Sequence, residues 1–420
     1  MTPSSGAIAA AVTILGTLVL GADKPNILWL TAEDISPNLG CYGDTYAVTP
    51  NLDGLAQQGV RYTQAFGITG VCAPNRSCLI TGVYPSRLGT HHMRTTVTLP
   101  DEVKCFTEYL RAAGYYCSNN AKTDYNFPVP PNAWDDCSRT AHYKNRKPGQ
   151  PFFAVFNHEV THESQIRAPQ EQYLRNTARL TPEQRHDPAK APVPPFHPDT
   201  QEVRRDWARY YDNITALDHQ IGDKLRELEE AGLADDTIVF FFSDNGAGMP
   251  GLKKWVWEGG LRVPLIIRFP KKWQHLAPAR PGSTCDQLVS FVDFAPTVLS
   301  LAGLKPPPHF QGTAFLGQHA GPPRQFIYAM RDRMAERYDC VRVVRNAEYQ
   351  YIRNFQPHLS WSQFVSYTEA MPTMQLWRRA AEAGTLYGPP ARYFLPHKPI
   401  EEFYDTNADP HQIHNLADDR

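Results

Sequence analysis

Neither sign of charge dominates this 420-residue chain: 42 Lys and Arg stand against 43 Asp and Glu, for a formal net charge of -1. A protein that holds nucleic acid or an anionic membrane surface through its overall field needs a basic excess, so both classes are disfavoured, although a local basic pocket remains compatible. Cysteine is scarce, eight in the whole chain. That density is too low for a disulfide scaffold, and no pair has the Cys-x-x-Cys spacing of a zinc ribbon. Long apolar runs are absent beyond the first segment. Ala7 to Leu20 falls short of the roughly 20 residues a membrane-spanning helix needs, and Gly21-Ala22 and Asp23-Lys24-Pro25 follow it. Residues 1–22 therefore read as a secretory signal, although Met1 to Gly6 carries no Lys or Arg. The expectation is an exported protein, periplasmic or secreted, and not an integral membrane protein.

What is present is an alternation of short apolar runs with amphipathic stretches, in a chain long enough for two or three domains of roughly 100 to 200 residues. Asn26 to Ala32, Tyr115 to Ala121, Pro151 to Phe156 and Thr237 to Phe242 read as buried strands. Asn51 to Gln58 and Val103 to Ala113 read as helices. A longer helix carries Trp207, Tyr210, Ile214, Leu217, Ile221, Leu225 and Leu228 at spacings of three and four, and Gly232 closes it. This order predicts an α/β fold, a large doubly wound, mostly parallel sheet with helices on both faces. The texture changes after about Pro308. Gln325 to Ala329, Cys340 to Val344, Tyr349 to Asn354 and Glu402 to Tyr404 suggest a smaller C-terminal α+β domain with an antiparallel sheet, so the division is 23–320 and 321–420. The Pro-rich stretch from Ser164 to Gln201 is expected as an ordered loop over the sheet edge.

In such sheets ligands gather at the carboxyl ends of the strands. Two strands here run into acids, Glu33-Asp34 and Ser243-Asp244-Asn245-Gly246. Four oxygen donors without Cys or His suit Ca²⁺, and Mg²⁺ less well, rather than Zn²⁺. Acids after a strand are more often turn formers, so this pair alone decides nothing. A third element adds weight: Cys72-Ala-Pro74-Asn-Arg76 places a cysteine immediately before a helix whose first turn carries Pro74, with an arginine one turn in, where an anion is favoured.

Cys-x-Pro-x-Arg followed by Thr81-Gly82 resembles the signature of the formylglycine-dependent sulfatases, of the alkaline phosphatase-like superfamily. The companions stand in that family's order: the acid pair on the first strand, Lys122, His162, the Asp244-Asn245 pair, Lys253, and Glu258-Gly-Gly-Leu-Arg262-Val-Pro264. Phe403-Tyr-Asp405 to Asn415-Leu416 is similar to the family's closing segment. The resemblance implies that a maturation enzyme, formylglycine-generating or anaerobic, converts Cys72 to an aldehyde. It implies that Glu33, Asp34, Asp244 and Asn245 hold one Ca²⁺ together with an oxygen of that residue. The hydrated aldehyde would attack sulfur, with Arg76 raising its acidity. Lys122, His162 and Lys253 would clamp the sulfate, and His162 or Lys253 would protonate the leaving atom. Thr161-His162-Glu163-Ser164 looks most similar to heparan N-sulfatase-like members, which implies a sulfated, glycosaminoglycan-like saccharide as substrate.

Two departures stand out. Glu33 replaces an aspartate, and Lys122-Thr-Asp124 replaces Lys-x-His, leaving Asp124 as either a base or a structural partner of Arg76 or Lys122. His158-Glu159-Val-Thr-His162 matches the HExxH pattern of zinc peptidases, but it follows a strand where that chemistry needs a helix. His158 is expected to make supporting hydrogen bonds more than to touch sulfate. His91, His92 and Arg94 are candidates to line a pocket rim, and Arg331, Arg333 and Arg353 to meet an anionic sugar, although each reads more readily as a solvated charged face. Asn75 and Asn213 head glycosylation sequons within helices. The competing functions are a phosphatase or phosphonate hydrolase of the same superfamily, and a degenerate homologue that only binds glycans.

Overall fold

The computed structural model describes residues 23–418, so the expected signal segment 1–22 lies outside the described residues. Asn26–Ala32 forms the central strand, buried at every position because apolar side chains on both of its faces, Ile27 and Trp29 on one and Leu28, Leu30 and Ala32 on the other, meet covering layers. Phe152–His158 pairs with it in parallel on one side and Thr237–Ser243 on the other. Their registers align Ala32 with both His158 and Ser243, so three strands end at one level. The chain segments that leave these ends are thereby brought side by side. The sheet has eight strands in the order Asp136–Cys137, Tyr116–Asn120, Phe152–His158, Asn26–Ala32, Thr237–Ser243, Leu265–Arg268, Val60–Tyr62, Thr284–Cys285. Leu265–Arg268 runs antiparallel to both neighbours, which makes the sheet mixed.

Alternation along the central strands divides the core in two. Ile27, Trp29, Phe153, Phe240 and Phe242 face a layer containing Phe106, Phe294 and Val298. Leu28, Leu30, Val239 and Phe241 face the helix Gln201–Glu230 through Trp207, Tyr210, Ile214, Leu217 and Ile221. The Thr200 hydroxyl accepts from the amide of Val203 to cap that helix, a bond worth about 1 kcal/mol, and Gly232 (φ 66°) turns the chain at its end.

The C-terminal sheet is fully antiparallel: Ile327–Arg331, Val341–Arg345, Tyr349–Asn354, Glu401–Asp405. Ile327, Ala329, Val343, Ile352 and Tyr404 pack against Phe66, Val256 and Leu261 of the larger layer. The helix Pro372–Glu382 returns to the long helix, where the Thr373 hydroxyl donates to Asp206 at 2.7 Å. No helix among the described residues is long and apolar enough to cross a membrane.

Two local expectations change. The helix expected from Val103 begins at Phe106, because Cys105 and Glu108 form a capping box that fixes the start. The stretch from Ser164 to Gln201 packs on the long helix instead of over the sheet edge. His186 bonds Asp212 at 2.8 Å, Tyr173 bonds the same carboxylate, and Arg204 donates to the carbonyl of Ala189 at 2.9 Å. Buried acceptors on a helix side require donors, and this insertion supplies them.

Candidate active site

Cys72 is the first residue of the helix Cys72–Thr81 rather than the residue before it, and it is fully buried. Burial pushes its thiol well above the ordinary range. Asn75 fixes the approach to this helix: its Oδ1 accepts from the amides of Ile68 and Thr69, and its Nδ2 donates to the Asp244 carbonyl at 2.7 Å. Gly70 permits the close approach of a second segment, since a β-carbon there would stand 2.1 Å from the Trp255 carbonyl oxygen. Lys253 and Lys254 belong to that segment, and the Lys254 amide donates to Gly70 O at 2.6 Å.

One turn into the helix, Arg76 bridges three strand ends. Its Nε donates to Asp244 Oδ2 at 2.9 Å, Nη1 to Asn157 Oδ1 at 2.8 Å, and Nη2 lies 3.5 Å from Glu33 Oε1. Lys122 Nζ lies 2.6 Å from the same Glu33 oxygen. Burial, with Asp244 close by, nonetheless raises the Glu33 carboxyl to about 7, against the pull of Arg76 and Lys122.

Asp34 is held in left-handed backbone (φ 56°), which turns its carboxylate toward its neighbours. Its Oδ2 accepts from the Glu163 amide and the Lys253 ammonium, each at 2.6 Å, and its Oδ1 accepts from Asn245 Nδ2 at 2.9 Å. Burial works against this charge, yet Lys253 and His162 hold the carboxyl far below its usual value. Burial likewise opposes the charge on Lys253, but Asp34 and Glu163 keep it protonated. His162 accepts the Ser164 amide at Nδ1, which leaves the ring proton on Nε2, 4.0 Å from Asp34 Oδ2. Burial and Lys253 press its pKa down to about 4, so the imidazole is neutral at pH 7.

Glu33, Asp34, Asp244 and Asn245 thus form one bonded network. Within it two buried acceptors, Glu33 Oε2 and Asn245 Oδ1, have no donor among the described residues. Bare buried oxygens beside two further carboxylates fit a hard cation that prefers all-oxygen ligands. A second grouping, Asp34, His162 and Glu163, also has ligand atoms within 4.8 Å of one another. The Lys253 ammonium already lies between two of its members, 2.6 Å from Asp34 and 2.9 Å from Glu163.

Several sequence expectations are corrected. Asp124 partners neither Arg76 nor Lys122; it is ion-paired with Arg94. His158 is buried, its Nδ1 3.1 Å from the Thr31 carbonyl, in the supporting role expected of it. Arg331, a candidate sugar contact, is instead buried: it donates to the Lys254 carbonyl and lies 3.9 Å from the Trp255 ring centroid. The His91 and His92 rings lie against each other, tilted by 46° with centroids 4.1 Å apart, and His92 Nδ1 accepts from the Arg333 amide at 3.3 Å. Arg353 pairs with Glu401. Between the two histidines of HExxH the chain leaves a strand and His162 caps the short helix Glu163–Ile166, so no helix presents both rings to one metal. Asn75 and Asn213 are fully buried.

Asn157, Glu163 and Lys254 were not singled out from the sequence. Asn157 ties Arg76 to Asn119 at 2.9 Å, and Glu163 is bound by Lys253 and, through both oxygens, by Lys254. Their only sequence signal is position: Asn157 lies at a strand end, Glu163 next to His162, and Lys254 next to Lys253.

Comparison with known proteins agrees with this arrangement. The sulfatase family model matches residues 25–127 and 118–304, and the C-terminal model of N-sulphoglucosamine sulphohydrolase matches 252–365. An ulvan-active sulfatase of Formosa agariphila is 40% identical, over 94% of this chain and 72% of that protein. Human N-sulphoglucosamine sulphohydrolase is 26% identical over 96% of this chain and 88% of its own length. Among solved structures, one determined with its substrate D-glucosamine-2-N,6-O-disulfate superposes with a TM-score of 0.65 at 19% identity, covering 94% of this chain and 93% of that one. The chain belongs to the sulfatase family. It is accordingly a hydrolase of sulfate esters or N-sulfates, built on the alkaline phosphatase-like fold.

Proposed function

We propose that this protein removes sulfate from a glycosaminoglycan-like or related anionic polysaccharide, using a formylglycine made from Cys72 and one Ca²⁺ held by Glu33, Asp34, Asp244 and Asn245. The observation that carries this reading is the setting of Cys72: a fully buried thiol at a helix N-terminus, with Arg76 one turn away and Lys122 and Lys253 joined to the same acidic network. The names of the relatives, one for ulvan and one for N-sulphoglucosamine, support a sulfated saccharide.

When present, the aldehyde supplies a hydrated carbonyl as nucleophile, and the cation lowers the pKa of that hydroxyl and draws off negative charge. The chain's own residues do the rest. Arg76 stays protonated between Asp244 and Glu33 and fixes both carboxylates. Lys122 and Lys253 are the cations for the sulfate oxygens as they gather charge, and Lys253 is buried, where water screens it little. His162, neutral with its proton on Nε2, is the donor for the departing sugar oxygen or nitrogen. Asp124, engaged by Arg94, fills the position of the family's histidine.

We further propose export under a signal spanning 1–22, and a division into a catalytic layer, 23–320, and a C-terminal layer, 321–420, that closes the site. Coexpression with a formylglycine-generating or anaerobic maturing enzyme, followed by peptide mass spectrometry across Cys72, tests the central step. Conversion of the thiol to the aldehyde, with sulfate release from sulfated disaccharides, is expected. An unmodified thiol in a preparation that releases sulfate would overturn it.

A further inference from the structure

The pairing of Asp124 with Arg94 joins two loops that adjoin Cys72. Asn126 Nδ2 donates to the carbonyls of Thr90 and His92 at 2.8 and 2.7 Å, and the Val97 amide donates to Asn126 O at 3.0 Å. A third segment closes on them: the Met93 amide donates to Arg333 O at 2.9 Å, and Arg333 Nη2 lies 3.4 Å from Arg94 O. Met93 and Met334 from these segments pack against Cys72 and Val71, so the loops adjoin the reacting residue. Left-handed backbone is concentrated here. Of the seven non-glycine residues with positive φ among the described residues, Arg94, Asp124, Asn126 and Ala335 all lie in these loops. Such conformations persist where surrounding structure enforces them, and they cluster at ligand sites.

The charges on these loops are unequal in their commitments. Asp124 is nearly buried, 9% exposed, whereas Arg94 is 62% exposed. One Arg94 nitrogen, Nη1, engages Asp124; Nε and Nη2 have no partner among the described residues. Arg94 thereby does two things. It cancels a carboxylate that would repel a sulfate at Cys72, and it keeps two donors in the planar geometry that matches an oxyanion. Arg333 adds a second guanidinium, partly exposed and over the Tyr338 ring.

We propose that Arg94, with Arg333 beside it, forms an anion subsite on the loops adjoining Cys72 that reads a second negative group, a carboxylate or another sulfate, on the saccharide next to the scissile sulfate. This rests on the sulfatase reading above. The preferred substrate is then a polyanionic chain and not an isolated monosulfated sugar.

The test compares matured wild type, Arg94→Met and Arg94→Lys on three disaccharides carrying the same scissile sulfate. One has a neighbouring uronate, one the same sugar with its carboxyl reduced to the alcohol, and one a second sulfate on the reduced neighbour. The reading is the ratio of kcat/KM for each dianionic substrate to that for the reduced one, so any effect of the variant on the shared step cancels. Arg94→Met is expected to lower this ratio roughly tenfold, mainly through KM, with partial recovery in Arg94→Lys. A fall with the uronate alone assigns the subsite to carboxylate, and a fall with the disulfate alone assigns it to sulfate. An unchanged ratio in Arg94→Met overturns the subsite while leaving the sulfatase reading intact. Failure of wild type to release sulfate from all three overturns the sulfatase reading, and the subsite with it.

Discussion

Lys122 Nζ lies 2.6 Å from Oε1 of Glu33, a carboxylate only 1% exposed. The pair joins the end of the first strand to the loop after Tyr116–Asn120, and Arg76 approaches the same oxygen from the Cys72 helix. Removing one partner of a buried ion pair leaves the other charge unsolvated, which costs more than the pair contributes net. Lys122→Met is expected to lower stability by about 3 kcal/mol, read by urea denaturation. Adding Glu33→Gln should recover part of that loss. A double variant no more stable than the single one would contradict the coupling.

His197 makes a second expectation, in pH. Its Nδ1 accepts the indole N–H of Trp207 at 3.2 Å and its Nε2 donates to the Pro250 carbonyl at 2.7 Å, so the neutral ring is satisfied at both nitrogens. Protonation would set a new N–H against the indole N–H, and burial already presses the pKa from 6.5 to about 4. The folded state therefore binds this proton less readily than the unfolded chain. Its contribution is complete above pH 6.5 and is lost as pH falls toward 4, amounting to about 3 kcal/mol at full protonation. Denaturation midpoints between pH 7 and 4 should fall less steeply in His197→Gln than in the wild type.

The proposed Ca²⁺ site predicts an effect of the cation on stability as well as on turnover. A cation that binds the folded chain and not the unfolded one raises the melting temperature with its free concentration. Chelation of the matured protein should lower both the melting temperature and sulfate release, and Ca²⁺ should restore both. Asn245→Ala removes the bare buried Oδ1. It is expected to shift the Ca²⁺ titration of the melting temperature to higher concentration, at least tenfold.

Gly70→Ala tests the apposition of the Cys72 helix and the lysine segment. The added carbon would meet the Trp255 carbonyl oxygen at 2.1 Å, a backbone atom that cannot rotate away. A loss of about 3 kcal/mol is expected. Sulfate release should fall further than the unfolded fraction accounts for, because Lys253 would be displaced. Calorimetry beside initial rates separates the two effects.

The sequence was informative where the physics is local. Short continuous apolar runs marked the central strands, which are buried at every position, and period 3.6 marked the helix Gln201–Glu230. Where local chemistry competes with pattern, it was less so: the capping box at Cys105 moved a helix start that the apolar pattern placed at Val103. Arg331, two residues past the expected strand Gln325 to Ala329, read as an anion contact or a solvated charge, because arginine seldom lies fully buried. Its burial depends on the Trp255 face and the Lys254 carbonyl, 77 residues away in the chain.

By itself the sequence determined the two acid-bearing strand ends, the Cys72 to Arg76 signature and the family these imply, because strands and helix starts follow from neighbours a few residues apart. Only the tertiary structure decided the partners. Asp124 reaches Arg94 across 30 positions and Lys253 reaches Asp34 across 219. No periodicity encodes such pairs. They follow from which strands lie adjacent in the sheet and which loops burial forces together, and in a low-dielectric interior each charge must then find the counter-charge that the fold brings within reach.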